Sequence, residues 1–114
     1  MKINTALIVD DESDICFLLK MFLNRKDVAV HCSNNLKDGL SKIKELNPDV
    51  LILDHNLPDG YGIDFISNFR KQNNLLLIIV ISALSHLKNK ALKNGADFFI
   101  EKPIIFSELS KLIN

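Results

Sequence analysis

Val50-Leu51-Ile52-Leu53-Asp54 is the stretch whose reading decides the fold. Four apolar residues in a row run straight into a carboxylate. A strand with one wet face alternates apolar and polar residues, so an unbroken run of this length reads as a strand buried on both faces. The same design opens the chain, where Ala6-Leu7-Ile8-Val9 ends in Asp10-Asp11. Leu75 to Ile81 is the longest apolar run and ends at Ser82-Ala83. Phe98-Phe99-Ile100 is a short run leading to Glu101-Lys102-Pro103, and Val28 to Cys32 is a weaker strand.

Between these runs lie amphipathic stretches. Ser13 to Asn24 carries Ile15, Leu18, Leu19 and Phe22 at helical spacing, with Ser13 or Asp14 able to cap its start. Leu36, Leu40 and Ile43 mark a second helix, which should stop before Asn47-Pro48 because proline disfavours helical geometry in the residue before it. A loop with Pro58, Gly60 and Gly62 leads into a third helix bearing Ile63, Ile66 and Phe69. The stretch from Ser85 to Asn94 reads as a fourth, closed by Gly95, and Phe106, Leu109 and Leu112 mark a fifth.

Strand-then-helix units repeated in this way imply a parallel sheet with helices on both faces, since parallel strands need crossover connections. The 114 residues fit one domain, 1–114, with no repeat or linker. Charge is balanced, 14 Lys+Arg against 14 Asp+Glu, which argues against a protein built to grip nucleic acid. No apolar run approaches the roughly 18 to 20 residues that span a bilayer, and no signal peptide is evident at the N-terminus. Cys16 and Cys32 are too few for a disulfide scaffold and lack CxxC spacing, so they read as two small core or near-surface thiols of a reduced, cytoplasmic protein.

In open α/β sheets the binding crevice lies at the carboxyl ends of the strands. Strand one delivers Asp10 and Asp11 there, strand three Asp54, strand four Ser82 and strand five Lys102. Three converging carboxylates would repel one another without a cation. Hard oxygen ligands of this kind suit Mg²⁺. A hydroxyl and an ammonium opposite them are what a phosphoryl group needs around its oxygens. The set points to metal-assisted phosphoryl chemistry, with an aspartate as nucleophile.

With these residues in place, the sequence resembles the response-regulator receiver domains of two-component signalling. Val9-Asp10-Asp11-Glu12 is similar to the family's acidic pair, and Asp54-His55-Asn56-Leu57-Pro58, with Gly62 further on, is similar to its phosphoacceptor loop. Ser82-Ala83 matches its Thr/Ser-Ala step, and Gly95 to Pro103 matches the run to its Lys-Pro. The resemblance covers the whole chain and implies a flavodoxin-like sheet of five parallel strands in the order 2-1-3-4-5. It implies that Asp54 takes a phosphoryl group from a partner histidine kinase or phosphotransfer protein, and that the chain's only catalysis is on itself. Mg²⁺ would be held directly by Asp11, Asp54 and the carbonyl of Asn56, with Asp10 acting through water. Lys102 would pair with Asp54 and then with the phosphoryl oxygens, Ser82 would swing toward them, and Phe99 would be the switch aromatic. The surface of the fourth helix, fifth strand and fifth helix would carry output and could pair two copies.

Simpler readings stand beside these. Asp10, Asp11 and Glu12 alone would serve as an acidic cap on a helix. His55 reads as a local variation rather than a ligand, because successive side chains on a strand point apart. His31 and His86 lack convergent partners. Lys88, Lys90 and Lys93 are either a solvated face or a docking surface for an acidic partner, to which Phe98 and Ile104-Ile105-Phe106 could add apolar area. Glu101 would either slow phosphorylation or face solvent. A pseudo-receiver that switches without phosphate is the alternative function. A flavodoxin-type carrier would need a glycine- and hydroxyl-rich first loop, which the acidic stretch 10–14 is not, and a haloacid-dehalogenase-type phosphatase would need a second aspartate two residues after the first. No output segment follows, so the chain reads as a stand-alone receiver or the N-terminal piece of a larger regulator.

Overall fold

A computed structural model describes residues 2–113. Five strands, β1 (Thr5–Val9), β2 (Ala29–Ser33), β3 (Val50–Asp54), β4 (Leu77–Ser82) and β5 (Phe98–Glu101), form one sheet in the order β2-β1-β3-β4-β5. Every neighbouring pair is parallel. The helices are α1 (Ser13–Asn24), α2 (Leu36–Leu46), α3 (Ile66–Gln72), α4 (Lys88–Lys93) and α5 (Phe106–Ile113). The parallel sheet flanked by helices is what the strand runs imply, and its strand order is the flavodoxin-like one that the family resemblance implies.

Because side chains alternate along a strand, each central strand feeds two cores. Ala6 and Ile8 of β1, with Val50 and Ile52 of β3, pack against Leu19 and Leu23 of α1 and Leu109 and Ile113 of α5. Leu7 and Val9, with Leu51 and Leu53, pack on the other face against Leu36 and Ile43 of α2, Phe69 of α3 and Ala91 of α4. The sheet therefore has no wet face over its central strands, which explains why those strands read as continuous apolar runs. No helix among the described residues is long and apolar enough to cross a membrane.

Local signals account for most boundaries. Asn47 adopts the left-handed conformation that ends α2 just before Pro48, and Gly95 takes a positive φ of 111° after α4. The side chain of Asn35 caps α2 by accepting from the Asp38 N–H at 2.8 Å. Three features depart from the sequence reading. β4 starts at Leu77 rather than Leu75, because the Asn73 side chain accepts from the Leu75 N–H and turns the chain there, leaving Leu75 exposed. The loop after β3 folds into a two-residue hairpin, Asn56–Leu57 against Gly60–Tyr61, and 3₁₀ turns precede both α3 and α4. The third departure concerns the cysteines. Cys16 on α1 and Cys32 on β2 are joined as a disulfide, with Cα atoms 6.4 Å apart, rather than standing as separate thiols. Their spacing gives no local signal, because the pairing arises only when α1 packs back along the sheet beside β2.

Candidate phosphoacceptor site

The site is built on three strand ends. Asp10 follows β1, Asp54 ends β3, and Lys102 follows β5. Parallel register brings them together: the Asp10 N–H donates to the Ser33 carbonyl at 3.0 Å, and the Lys102 N–H to the Ser82 carbonyl at 2.9 Å, so each loop leaves its strand tied to a neighbour. The Lys102 Nζ then lies 3.0 Å from Glu12, 3.2 Å from Asp10 and 3.3 Å from Asp54. One cation is shared among three carboxylates.

These groups are held against their preference for water. Asp10 and Asp54 are 3% and 5% exposed. Burial, with the nearby Asp10 charge, pushes Asp54 up to about 6, although Lys102 and the His55 N–H, which donates to Asp54 Oδ1 at 2.9 Å, pull the other way. Burial likewise raises Asp10, partly offset by the Glu12 N–H and by Lys102. Desolvation would lower Lys102, but its hydrogen bond to Glu12 and the charges of Asp54 and Asp10 outweigh this and raise it. The cluster is thus short of positive charge.

Carboxylate oxygens of Asp10, Glu12 and Asp54 lie within 4.8 Å of one another. Asp10 Oδ2 is buried and accepts no hydrogen bond, because Lys102 sits near it without the alignment of a donor. A hard divalent cation fits this donor set, since it would supply the missing charge and occupy the unused lone pairs. Asp10 and Asp54 fall where the strand-end reading puts them. Asp11, expected as a direct ligand, is exposed and lies outside that trio, on the wall of a cleft that it shares with Asp10, Ser13, Cys32 and Ser33. Glu12 takes its place in the cluster. In the sequence Glu12 is only the third member of an acidic stretch, and its place at the N-cap of α1 gives no signal that it turns inward.

The remaining expected residues lie on neighbouring elements. Ser82 is buried at the end of β4, and its hydroxyl accepts from the Leu84 N–H at 3.1 Å, which keeps it in its own turn. Phe99 is half-buried against the core that α2, α3 and α4 cover. Asn56 begins the hairpin, paired with Tyr61. His55 is buried and stacked on Tyr61, and its Nδ1 accepts from the Ile63 N–H at 3.4 Å. Burial, with Lys90 nearby, lowers its pKa, so it pins the hairpin as a neutral ring and takes no part in the carboxylate cluster. Gly62 has a definite reason to be glycine: a Cβ there would lie 2.1 Å from the Asp54 carbonyl oxygen. Its N–H donates to the His55 carbonyl at 2.7 Å, closing the loop over the strand end. Glu101 is exposed, as one of its two readings required.

Comparison with known proteins agrees with this geometry. The family model of the response regulator receiver domain matches residues 6–114. The chain is 40% identical over 106 residues to the KDP operon transcriptional regulatory protein KdpE of Escherichia coli, covering 91% of this chain and 47% of that protein. It is 33% identical over 110 residues to the response regulator protein PilR of Pseudomonas aeruginosa, covering 95% of this chain and 25% of that one. The chain thus spans half or less of the length of these relatives. Among solved structures, a two-component response regulator from Clostridium difficile superposes with a TM-score of 0.91 at 25% identity, covering 96% of this chain and 92% of that one. The beryllofluoride-activated NtrC4 receiver domain dimer gives 0.89 at 32% identity, covering 96% and 92%. On sequence, fold and strand-end chemistry together, the chain belongs to the response regulator receiver domain family.

Proposed function

We propose that this chain is a phosphoacceptor receiver whose Asp54 takes a phosphoryl group from a phosphohistidine on a partner kinase or phosphotransfer protein. The observation that carries the proposal is the sharing of Lys102 among Asp10, Glu12 and Asp54 at 3.0 to 3.3 Å. A pseudo-receiver has no need of a buried, undercompensated carboxylate next to a lysine, and every carried-over side chain is present here.

In the transfer, an Asp54 carboxylate oxygen forms the new P–O bond while the P–N bond to the donor imidazole breaks, and the leaving nitrogen keeps the electron pair. Asp54 must be ionised to attack, and burial makes it a better nucleophile than a solvated aspartate by withholding water. Lys102 exchanges its contact with Asp54 for the arriving phosphoryl oxygens, remaining anchored by Asp10 and Glu12. Asp10 and Asp54, with Glu12 or Asp11 and the Asn56 carbonyl, would hold Mg²⁺, which when bound neutralises phosphoryl oxygens and stabilises charge in transfer. Ser82 gives up the Leu84 N–H to donate its hydroxyl to the phosphoryl group. Phe99, on the strand next to Ser82, follows that movement inward. Catalysis is confined to the chain's own phosphorylation and dephosphorylation.

Output belongs to the surface of α4, β5 and α5, where Leu92, Phe98 and Ile105 are exposed. Those apolar side chains suit a second copy, and the NtrC4 relative is described as a dimer. A cytoplasmic kinase module is the natural donor. The assignment of Asp54 is tested by treating the phosphorylated protein with borohydride, which reduces an acyl phosphate to the alcohol. Peptide mapping should find homoserine at position 54, and its appearance at any other aspartate would refute the assignment.

A further inference from the structure

We propose that Cys16 and Cys32 are a reversible thiol–disulfide site that sets the cation affinity of the neighbouring carboxylates. The two Cα atoms are 6.4 Å apart, inside the range that a disulfide spans without backbone movement. Both residues are half-buried, so neither is sealed in the core and small thiols can reach them. Cys32 also lines the open cleft that holds Asp10, Asp11 and Ser13.

The bridge ties α1, which follows the acidic loop, to β2, which lies beside that loop. On one side, the Cys16 N–H donates to the Glu12 carbonyl at 3.4 Å, one turn away along α1. On the other, Cys32 precedes Ser33, whose carbonyl receives the Asp10 N–H at 3.0 Å, and the Cys32 carbonyl itself accepts from Lys42 Nζ. Glu12 stands at the N-cap of α1 with no side-chain hydrogen bond to the helix; its N–H donates to Asp10 Oδ1 at 2.8 Å, and the bridge one turn on adds a covalent restraint between α1 and β2. In this disulfide state Glu12 is committed to Lys102 and Asp11 lies outside the carboxylate trio. Opening the bridge frees the start of α1 to move relative to β2, which lets Glu12 leave Lys102 and Asp11 turn toward Asp54.

The chemistry uses a low-molecular-weight disulfide as oxidant. The Cys16 thiol loses its proton, and the thiolate attacks one sulfur of the oxidant and expels one thiolate, giving a mixed disulfide. The Cys32 thiolate then attacks the Cys16 sulfur and expels the second. Two protein thiols are oxidised to one disulfide, and one small disulfide is reduced to two thiols, with the protons carried to the leaving groups.

The thiol chemistry stands on its own, and the control of cation affinity rests on the receiver reading. The full chain is equilibrated with mixtures of reduced and oxidised glutathione, quenched with iodoacetamide and weighed intact. Protein carrying two alkyl groups should give way to protein carrying none as the mixture becomes oxidising. Two free thiols at every ratio, or no reduction at any ratio, would overturn the redox site. Mg²⁺ binding is then measured by calorimetry on the oxidised protein, the reduced protein and Cys16→Ser/Cys32→Ser, with Cys32→Ser alone as a second variant. The reduced protein and the serine variants should bind alike and severalfold more tightly than the oxidised protein. Equal affinity in both redox states, or tighter binding by the oxidised one, overturns the coupling and leaves the thiol result intact. Absence of Mg²⁺ binding in every form would overturn the coupling together with the receiver reading beneath it.

Discussion

Replacing Asp54 by Asn should make the metal-free protein more stable at neutral pH. In the unfolded chain an aspartate ionises near its ordinary value of 3.8, whereas burial and Asp10 raise Asp54 to about 6 in the folded state. Keeping it charged therefore works against folding at pH 7.5. The gap between 3.8 and about 6, at 1.36 kcal/mol per pH unit, corresponds to roughly 3 kcal/mol of destabilisation. Asparagine keeps an oxygen for the His55 N–H, now 2.9 Å from Asp54 Oδ1, and leaves Lys102 its contacts with Asp10 and Glu12. Lys102 loses one partner, so the net gain should be about 1 to 3 kcal/mol. For a domain of this size that is a rise in Tm of roughly 3 to 6 °C per kcal/mol.

The pH dependence carries the sign. Between about 6 and 3.8 the folded wild type takes up a proton that the unfolded chain does not, so its stability rises as pH falls through that window. The Asn variant lacks this slope. Its advantage should be full above about pH 7, shrink through pH 6 and 5, and vanish near pH 4. Urea unfolding of both proteins at pH 4, 5, 6 and 7.5, without Mg²⁺ and at fixed redox state, measures it directly. An Asn variant no more stable at pH 7.5, or one whose advantage is the same at every pH, would refute the reasoning.

Gly62→Ala should lower stability by about 2 to 4 kcal/mol, because its Cβ would meet the Asp54 carbonyl oxygen at 2.1 Å and the loop must shift; thermal unfolding reads this, and an unchanged Tm would contradict it. Lys102→Ala leaves Asp10 and Asp54 buried without their cation, so its loss of stability should be greatest above neutral pH, should shrink as pH falls and the two carboxylates protonate, and should be partly restored by Mg²⁺. Phosphorylation rates with Mg²⁺ at saturating small-molecule donor should fall as pH drops through the Asp54 ionisation, with higher Mg²⁺ moving the inflection to lower pH; a rate that increases toward pH 5 would remove Asp54 as the nucleophile.

Much of the architecture was legible because burial on both faces leaves an unmistakable trace. Leu51 and Ile52 serve opposite cores, so neither can be polar, and the same holds for Leu7 and Ile8. Gly95 marked the end of α4 because few other residues tolerate a positive φ, and Pro48 marked the end of α2, where Asn47 proves to be left-handed. Leu75 misled, because an apolar residue next to a strand looks like the strand until the Asn73 side chain turns the chain.

The site was legible in its strand ends and less so in its loops. A residue immediately after a strand has its place dictated by the sheet, which is why Asp10, Asp54 and Lys102 meet as expected. Asp11 and Glu12 lie in a connection where one rotation of the backbone exchanges their directions, and no spacing rule decides which carboxylate turns inward. The pairing of Cys16 with Cys32 depends on how α1 lies against β2, a contact between elements that periodicity along one element does not encode.

The central claim is that Asp54 accepts a phosphoryl group with the help of a divalent cation. Intact mass after incubation with acetyl phosphate or phosphoramidate and Mg²⁺, beside an EDTA control and Asp54→Asn, tests it most directly. The account predicts a single added phosphoryl group on the wild type, absent from the variant and from the chelated control. Equal labelling of Asp54→Asn, or labelling indifferent to EDTA, would contradict it.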